Sequence, residues 1–160
     1  MAAGILSKLA KAGLSFDCAL RIVNSALVVK AGEESLATLD VACIDLYTGR
    51  AEFLKAGAPL TLVRRGGEVL RIDASSLPAG ILHDISFARK TFELEPEDWV
   101  LMVSDGAVAN GDEWLEDFLM KWEKDDPQRF AEAVVEEAAA RRTDGHDDDV
   151  TAVAIRVLAS

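Results

Sequence analysis

Two short acidic motifs stand at the ends of predicted β-strands in the second half of the chain. Ser-Asp-Gly at 104–106 follows the apolar run 100–103, and Asp-Asp-Asp at 147–149 leads into the alternating run 151–157. A buried strand holds a carboxylate at its end in a fixed position, and two such ends can converge on one ion. Hard divalent cations prefer oxygen ligands of this kind and keep room for water. The pair of motifs therefore predicts a Mg²⁺ or Mn²⁺ site.

Each motif also has a plainer interpretation. Asp-Gly is a common turn dipeptide, and a bare acidic triplet is usually a solvated loop. An EF-hand is excluded because the stretch 144–147 lacks alternating acids before a central glycine and a closing glutamate. His83 and His146 have no partner at a metal-ligand spacing, so we interpret both as loop residues. The metal interpretation is favoured by placement, since both motifs border apolar strands.

Composition limits the classes of function. The chain has 160 residues, half of them apolar, which is enough for one domain with a real core. Its net charge of −11 repels nucleic acid and anionic lipid, so we expect neither a nucleic-acid partner nor direct membrane contact by this segment. The longest apolar runs are too short to span a bilayer. Cys18 and Cys43 are expected to be buried thiols in a reducing cytosol.

The order of predicted elements indicates an α+β fold over a single domain, 1–160. Two helices occupy 1–32, with Ala19, Ile22, Val23, Ala26 and Leu27 on the buried face of the second. Hairpin-connected strands follow from residue 38, with a strong turn signal at 65–67 and a long strand over 81–94. After the strand at 99–103 come two more helices and a last strand. Such an order is typical of helices packed on a largely antiparallel sheet, with both acidic motifs at one edge.

Several further stretches, taken in order with the acidic motifs, carry a family resemblance. Together they resemble the metal-dependent 2C-type protein serine/threonine phosphatases, and more closely the phosphatase domain of the stage II sporulation protein E group. The resemblance covers nearly the whole chain, and its ordered set is far more specific than any one piece. The matching stretches, besides Ser104-Asp105-Gly106, are residues 36–40, 44–49, 53–59, 64–67, 77–81 and 145–151.

The resemblance implies a β-sandwich of two antiparallel sheets flanked by helices, with two Mn²⁺ or Mg²⁺ ions at one end. In such a centre the ions activate a water that attacks phosphorus. Asp105 and Asp148 match the catalytic metal ligands, and Gly106 lets backbone and metal water come close. Asp147 and Asp149 either support these ligands through hydrogen bonds or are plain solvated acids. Thr151 is a further candidate for such support.

The resemblance also implies a substrate and a location. The substrate would be a phosphorylated regulatory protein, an anti-sigma-factor antagonist of a sporulating bacterium or a relative. The location would be cytoplasmic, either free or as the cytoplasmic part of a membrane-anchored parent protein. Residues 1–32 would form a pair of switch helices, with apolar contacts from Ile5, Leu6, Ile22 and Val23. This pair could be displaced or exchanged between chains, which leaves a homodimer open.

One feature of the family pattern is missing. Members carry another metal-binding aspartate in an upstream Gly-Asp-Gly-x-Gly motif, and this sequence contains no Gly-Asp-Gly. We therefore expect a chain that begins inside the domain, lacks the first strands, binds divalent metal weakly and is largely inactive alone. The alternative is a pseudo-phosphatase that keeps the scaffold for interaction or dimerisation.

Overall fold

The computed structural model describes residues 2–30, 36–73, 76–84, 86–142 and 148–159. In these ranges two helices precede six consecutive strands, a short 3₁₀ turn and two further helices follow, and a seventh strand comes last, which is the order expected of an α+β protein. The elements are α1 Ala2–Lys11, α2 Phe16–Lys30, β1 Leu39–Ile44, β2 Arg50–Ala56, β3 Thr61–Arg65, β4 Glu68–Ile72, β5 Ala88–Glu93, β6 Trp99–Val103, the 3₁₀ turn Asp105–Ala107, α3 Glu113–Met120, α4 Pro127–Ala140 and β7 Ala152–Arg156.

The chain divides into two units. Unit 1 contains Met1–Ala42, Phe53–Ala58 and Ala74–Arg89. Unit 2 contains Cys43–Glu52, Pro59–Asp73 and Lys90–Ser160. Both acidic motifs belong to unit 2. No helix in the described ranges is long and apolar enough to cross a membrane.

Unit 2 is built on a four-stranded antiparallel sheet with the order β4-β3-β6-β7. The predicted hairpin is confirmed: Arg65 pairs with Glu68 across a two-glycine turn. Gly66 adopts φ +55° there, a conformation that favours glycine. β6 and β7 pair from Trp99 opposite Arg156 to Val103 opposite Ala152. The end of β6 therefore meets the start of β7, and both acidic motifs lie at that end of the sheet.

The core of unit 2 covers one face of this sheet with α3 and α4. Trp99 is buried and meets the ring of Phe130 edge to face, with the centroids 5.5 Å apart. α4 begins as its sequence predicts, because Asp126 accepts a hydrogen bond from the Arg129 amide at 3.1 Å and Pro127 occupies the first helical position. The buried residues of this core are Leu60, Leu62, Trp99, Leu101, Val103, Ala107, Leu115, Leu119, Phe130, Val134 and Ala138.

A second sheet has the order β1-β2-β5. The strand predicted over 81–94 is wrong in its first half, since β5 begins only at Ala88. The buried side chain of Asn24 explains the difference. Its amide nitrogen donates to the carbonyls of Leu82 at 2.8 Å and His83 at 3.2 Å, and its oxygen accepts from the Gly80 amide at 2.8 Å. Backbone groups that a strand would use are thus bonded to α2 instead.

Unit 1 has a small core formed by both helices and parts of β1 and β2. Its buried members are Val23, Leu27, Ala56 and Ala79, with Ile5 and Leu6 of α1 packed against them. The expected burial of Ile22 is wrong: its side chain is 40% exposed, and Leu20 and Asn24 are buried instead. Gly32, the predicted end of α2, lies outside the described residues.

The expectation that both thiols are buried is also wrong in part. Cys18 lies in the first turn of α2 on its solvent side and is exposed, whereas Cys43 is half-buried on β1. Burial, together with the nearby Glu52 carboxylate, raises the pKa of Cys43 to about 11. Its thiol therefore remains protonated at neutral pH.

Asn24 should contribute strongly to the stability of unit 1. Asn24→Ala leaves two carbonyls and one amide without their partner, and we expect a loss of about 1–3 kcal/mol in the free energy of unfolding. The neighbouring Ser25→Ala is a matched control, because Ser25 is exposed and, among the described residues, its hydroxyl bonds only the Arg21 carbonyl of the same helix. Urea denaturation measures both, and equal losses would contradict the assigned role of Asn24.

Candidate metal centre

Asp105 stands where the chain leaves β6. Ser104 is still extended, with φ −80° and ψ 166°, and the 3₁₀ turn begins at the next residue. The Ala107 amide donates to the Ser104 carbonyl at 3.0 Å, and the Val108 amide donates to the Asp105 carbonyl at 3.0 Å. The Asp105 side chain is exposed, and its Oδ1 accepts from the Gly106 amide at 3.2 Å. The turn therefore fixes the carboxylate at the sheet end while leaving it open to solvent.

Asp148 has a similar setting before β7. It is exposed, and its Oδ1 accepts from the amide of the following residue, Asp149, at 3.0 Å. Within the described ranges, Oδ2 of both Asp105 and Asp148 makes no hydrogen bond. Each carboxylate is thus oriented through one oxygen and retains the other for a ligand. Asp147, the third acid of the motif, lies outside the described residues.

Direct contacts join the two motifs. The Ser104 amide donates to the Thr151 carbonyl at 2.9 Å, and the Thr151 amide donates to Ser104 Oγ at 2.9 Å. The Ser104 hydroxyl also donates to the Asp149 carbonyl at 3.2 Å. Gly106 lies so close that a Cβ there would overlap the Asp149 carbonyl oxygen and come within 3.1 Å of its carbon. Asp149 and Thr151 therefore connect the motifs through their backbones.

The end of α4 borders the same region. Nη2 of the half-buried Arg142 donates to the Asp148 carbonyl. Asn110, which follows the 3₁₀ turn, donates to the Arg141 carbonyl at 3.2 Å. A cleft of about 280 Å³ opens here, lined by Val135, Ala139, Arg142, Asp148, Asp149 and Val150. Arg142 thus brings a positive charge to a cleft lined by acids.

Ser104, Asn110 and Arg142 were not assigned a role from the sequence. The sequence did contain a signal for Ser104, because a residue with a hydroxyl group stands directly before Asp-Gly at the end of a predicted strand. It contained no such signal for Asn110 and Arg142, because the contacts described here are with backbone carbonyls that only the fold brings near.

The donor set fits part of a divalent metal centre. Carboxylate oxygens suit Mg²⁺ and Mn²⁺, and Asp105 and Asp148 each hold one toward solvent at the same sheet end. Six ligands are usual for Mg²⁺, so two carboxylates leave most positions to water or to further groups. Among the described residues no three His, Cys, Asp or Glu side chains form a ready-made cluster.

The close approach of Gly106 to Asp149 allows a test of the packing between the two acidic motifs. Gly106→Ala should force the two backbones apart and destabilise the protein by about 1–3 kcal/mol, as overpacking usually does. The control is Gly67→Ala, since a Cβ on Gly67 meets nothing within 4 Å. Thermal unfolding with and without Mn²⁺ measures both effects. A Gly106→Ala protein as stable as Gly67→Ala would show that the motifs are not packed this way.

Comparison with known proteins gives one consistent result. A family model described as Stage II sporulation protein E (SpoIIE) matches residues 1–158. The stage II sporulation protein E of Bacillus subtilis (strain 168) is 31% identical over an alignment of 159 positions, which covers 96% of this chain and 19% of that protein. The chain therefore spans about a fifth of the length of that relative.

Solved structures agree with this match. The PP2C phosphatase domain of Bacillus subtilis SpoIIE, solved with a fragment of its regulatory domain, superposes with a TM-score of 0.85 at 30% identity, covering 98% of this chain and 48% of that chain. The Mn-presoaked phosphatase domain of the same protein has a TM-score of 0.69 at 28% identity, covering 99% of this chain and 72% of that chain. The fold class and family predicted from the motifs are thus confirmed. The chain belongs to the stage II sporulation protein E family and contains a large part of a 2C-type serine/threonine phosphatase domain.

Proposed function

We propose that this chain forms part of a domain that hydrolyses phosphoserine or phosphothreonine on a protein with the help of divalent metal ions, with Asp105 and Asp148 as metal ligands, and that the chain alone is largely inactive. The observation that carries the proposal is the placement of both carboxylates at the joined ends of β6 and β7. Family membership supplies the reaction class, and the Mn-presoaked relative supports Mn²⁺ or Mg²⁺ as the cofactor. A single domain over 1–160 remains part of this proposal.

The roles of the residues follow from their contacts. Asp105 and Asp148 each present a carboxylate oxygen that makes no hydrogen bond within the described ranges. Gly106 keeps the space beside the Asp149 carbonyl clear of a side chain. When bound, two divalent ions would neutralise phosphoryl oxygens and lower the pKa of an attacking water. Arg142 places a guanidinium beside the same cleft, where it offsets part of the acidic charge.

The proposed substrate is a phosphorylated regulatory protein, an anti-sigma-factor antagonist by family resemblance. The family name places the relatives in sporulation. The net charge of −11 disfavours binding of a phosphorylated, and hence more acidic, segment. Bound cations would invert the local sign, so substrate binding should depend on metal.

We further propose that residues 1–32 act as a switch-helix pair. α2 contacts the segment 80–83 through Asn24, and the core residues Val23 and Leu27 pack near Ala56 at the end of β2. A switch needs two packings of similar energy. Exchange of this pair between chains would produce a homodimer, which light scattering would reveal.

The ligand assignment is tested by Asp105→Asn and Asp148→Asn. Each removes one anionic ligand, so we expect the Mn²⁺ dissociation constant to rise by more than about 100-fold, since even residues that only support ligands cost 10–100-fold. In a longer chain that supplies the remaining acidic ligands, phosphatase turnover on a phosphoserine protein should fall below detection in both variants. Calorimetric titration with Mn²⁺ and release of inorganic phosphate are the two measurements.

Asp117→Asn is the control, because Asp117 is an exposed acid of α3 whose side chain is paired with Lys121. It should leave Mn²⁺ affinity unchanged. The wild-type protein is expected to bind Mn²⁺ weakly, because two carboxylates supply only part of the ligands that the ion needs. Tight binding that survives both Asn substitutions would show that the ligands lie elsewhere. No binding in any variant would favour an interaction module over an enzyme.

A further inference from the structure

Backbone hydrogen bonds continue the pairing of β6 and β7 by one residue beyond each end of the strands. In an antiparallel ladder, every second pair of opposed residues exchanges two backbone hydrogen bonds. At one end the Val157 amide donates to the Asp98 carbonyl at 2.9 Å. At the other end the Ser104 amide donates to the Thr151 carbonyl at 2.9 Å. By this alternation, the Thr151 amide should donate in return to the carbonyl of Ser104.

The Ser104 carbonyl is used differently. It accepts the amide of Ala107 at 3.0 Å, which is the first hydrogen bond of the 3₁₀ turn that carries Asp105. The Thr151 amide donates instead to the Ser104 hydroxyl, at 2.9 Å. The side chain of Ser104 therefore replaces its own carbonyl in the last rung of the ladder.

The same hydroxyl donates its proton to the Asp149 carbonyl at 3.2 Å. A serine hydroxyl has one proton to donate and lone pairs to accept, so it can serve both partners at once. The backbone on both sides of Val150 is thereby tied to the residue directly before Asp105. An alanine here would leave the Thr151 amide without its acceptor, and an aspartate could accept but not donate.

We propose that Ser104 is a positioning residue that fixes the separation of Asp105 and Asp148, through the hydroxyl that closes the β6–β7 ladder. The Ser104 carbonyl is free to begin the 3₁₀ turn that carries Asp105, because the hydroxyl takes over the hydrogen bond from the Thr151 amide. The segment that follows Asp148 therefore stays paired with the end of β6. The hydrogen bonds of Ser104 are seen in the structure. Their effect on metal binding rests on the proposed function.

Ser104→Val and Ser104→Thr form the central test, because valine and threonine have nearly the same shape and only threonine keeps the hydroxyl. We expect Ser104→Val to raise the Mn²⁺ dissociation constant by about 10–100-fold, the usual cost of losing a group that supports a ligand. Ser104→Thr should bind Mn²⁺ nearly as the wild type does. Free Mn²⁺ is measured by electron paramagnetic resonance at a temperature where circular dichroism shows each variant folded.

Ser76→Ala is a control that distinguishes a positioning role of Ser104 from a general loss of protein stability. Ser76 Oγ also accepts a backbone amide, that of Gly57 at 3.2 Å, and donates to a backbone carbonyl, that of Lys55 at 3.0 Å. It belongs to unit 1, whereas the metal motifs belong to unit 2. Its loss should lower stability and leave Mn²⁺ affinity unchanged. Equal loss of affinity in Ser76→Ala and Ser104→Val would overturn a positioning role.

Hydrogen exchange at the Thr151 amide tests the geometry without any metal. The amide should be protected in the wild type and in Ser104→Thr, and should exchange faster in Ser104→Val. Should Ser104→Val fail to fold, Ser104→Ala removes the same hydroxyl without adding volume. Unchanged protection in the variant without a hydroxyl would overturn the proposal. A third outcome is that the Thr151 amide loses protection in the variant while the wild-type protein binds no Mn²⁺. That result would overturn the metal centre and establish only the role of Ser104 in the pairing of β6 with β7.

Discussion

The candidate site depends on the last rung between β6 and β7. Asp105 and Asp148 are separated by the whole α3–α4 segment in sequence, and only antiparallel pairing of the two strands brings their flanking residues into contact. A slip of one residue in this register would move every side chain of β7 to the opposite face of the sheet. The buried apolar residues of β6, packed on α4, therefore fix the position of the polar motifs that follow.

This arrangement concentrates negative charge at one sheet end, which opposes folding when no cation is present. Asp105, Asp148 and Asp149 are all exposed, so water screens part of their repulsion. Arg142 and the backbone amides of Gly106 and Asp149 offset more of it. A bound cation would add stability that grows with the logarithm of its free concentration relative to its dissociation constant, about 2.7 kcal/mol at a hundredfold excess. Metal binding and the order of this region are thus linked.

Sequence patterns predicted the elements that local physics controls. The cap at Asp126, the glycine turn after Arg65 and the strand before Ser104 all follow from residue type and periodicity. The sequence patterns gave wrong predictions where a tertiary contact decides the local structure. The alternation over 81–94 looked like a strand, but Asn24 bonds the backbone at 80–83, and this contact depends on where α2 lies. Ile22 was misplaced for a related reason, since the buried face of α2 is set by its partners.

The site shows the same division. The two acidic motifs could be found because Asp-Gly and Asp-Asp beside apolar strands are visible in the sequence. The hydroxyl of Ser104 in the ladder could not, because its role arises only when its carbonyl is taken by the 3₁₀ turn. The contact of Arg142 with the Asp148 carbonyl likewise requires the end of α4 to lie beside the start of β7.

The most direct test of a shared ion is paramagnetic broadening of backbone amide signals by Mn²⁺. Mn²⁺ is titrated into ¹⁵N-labelled protein at substoichiometric amounts, and signal loss is followed for each residue. The account predicts that Gly106 and Asp149 broaden first and at the same Mn²⁺ concentration, since one ion would lie beside both motifs. Broadening that begins on the acidic surface of α3 and α4, or that affects the two motifs at different concentrations, would contradict a common centre.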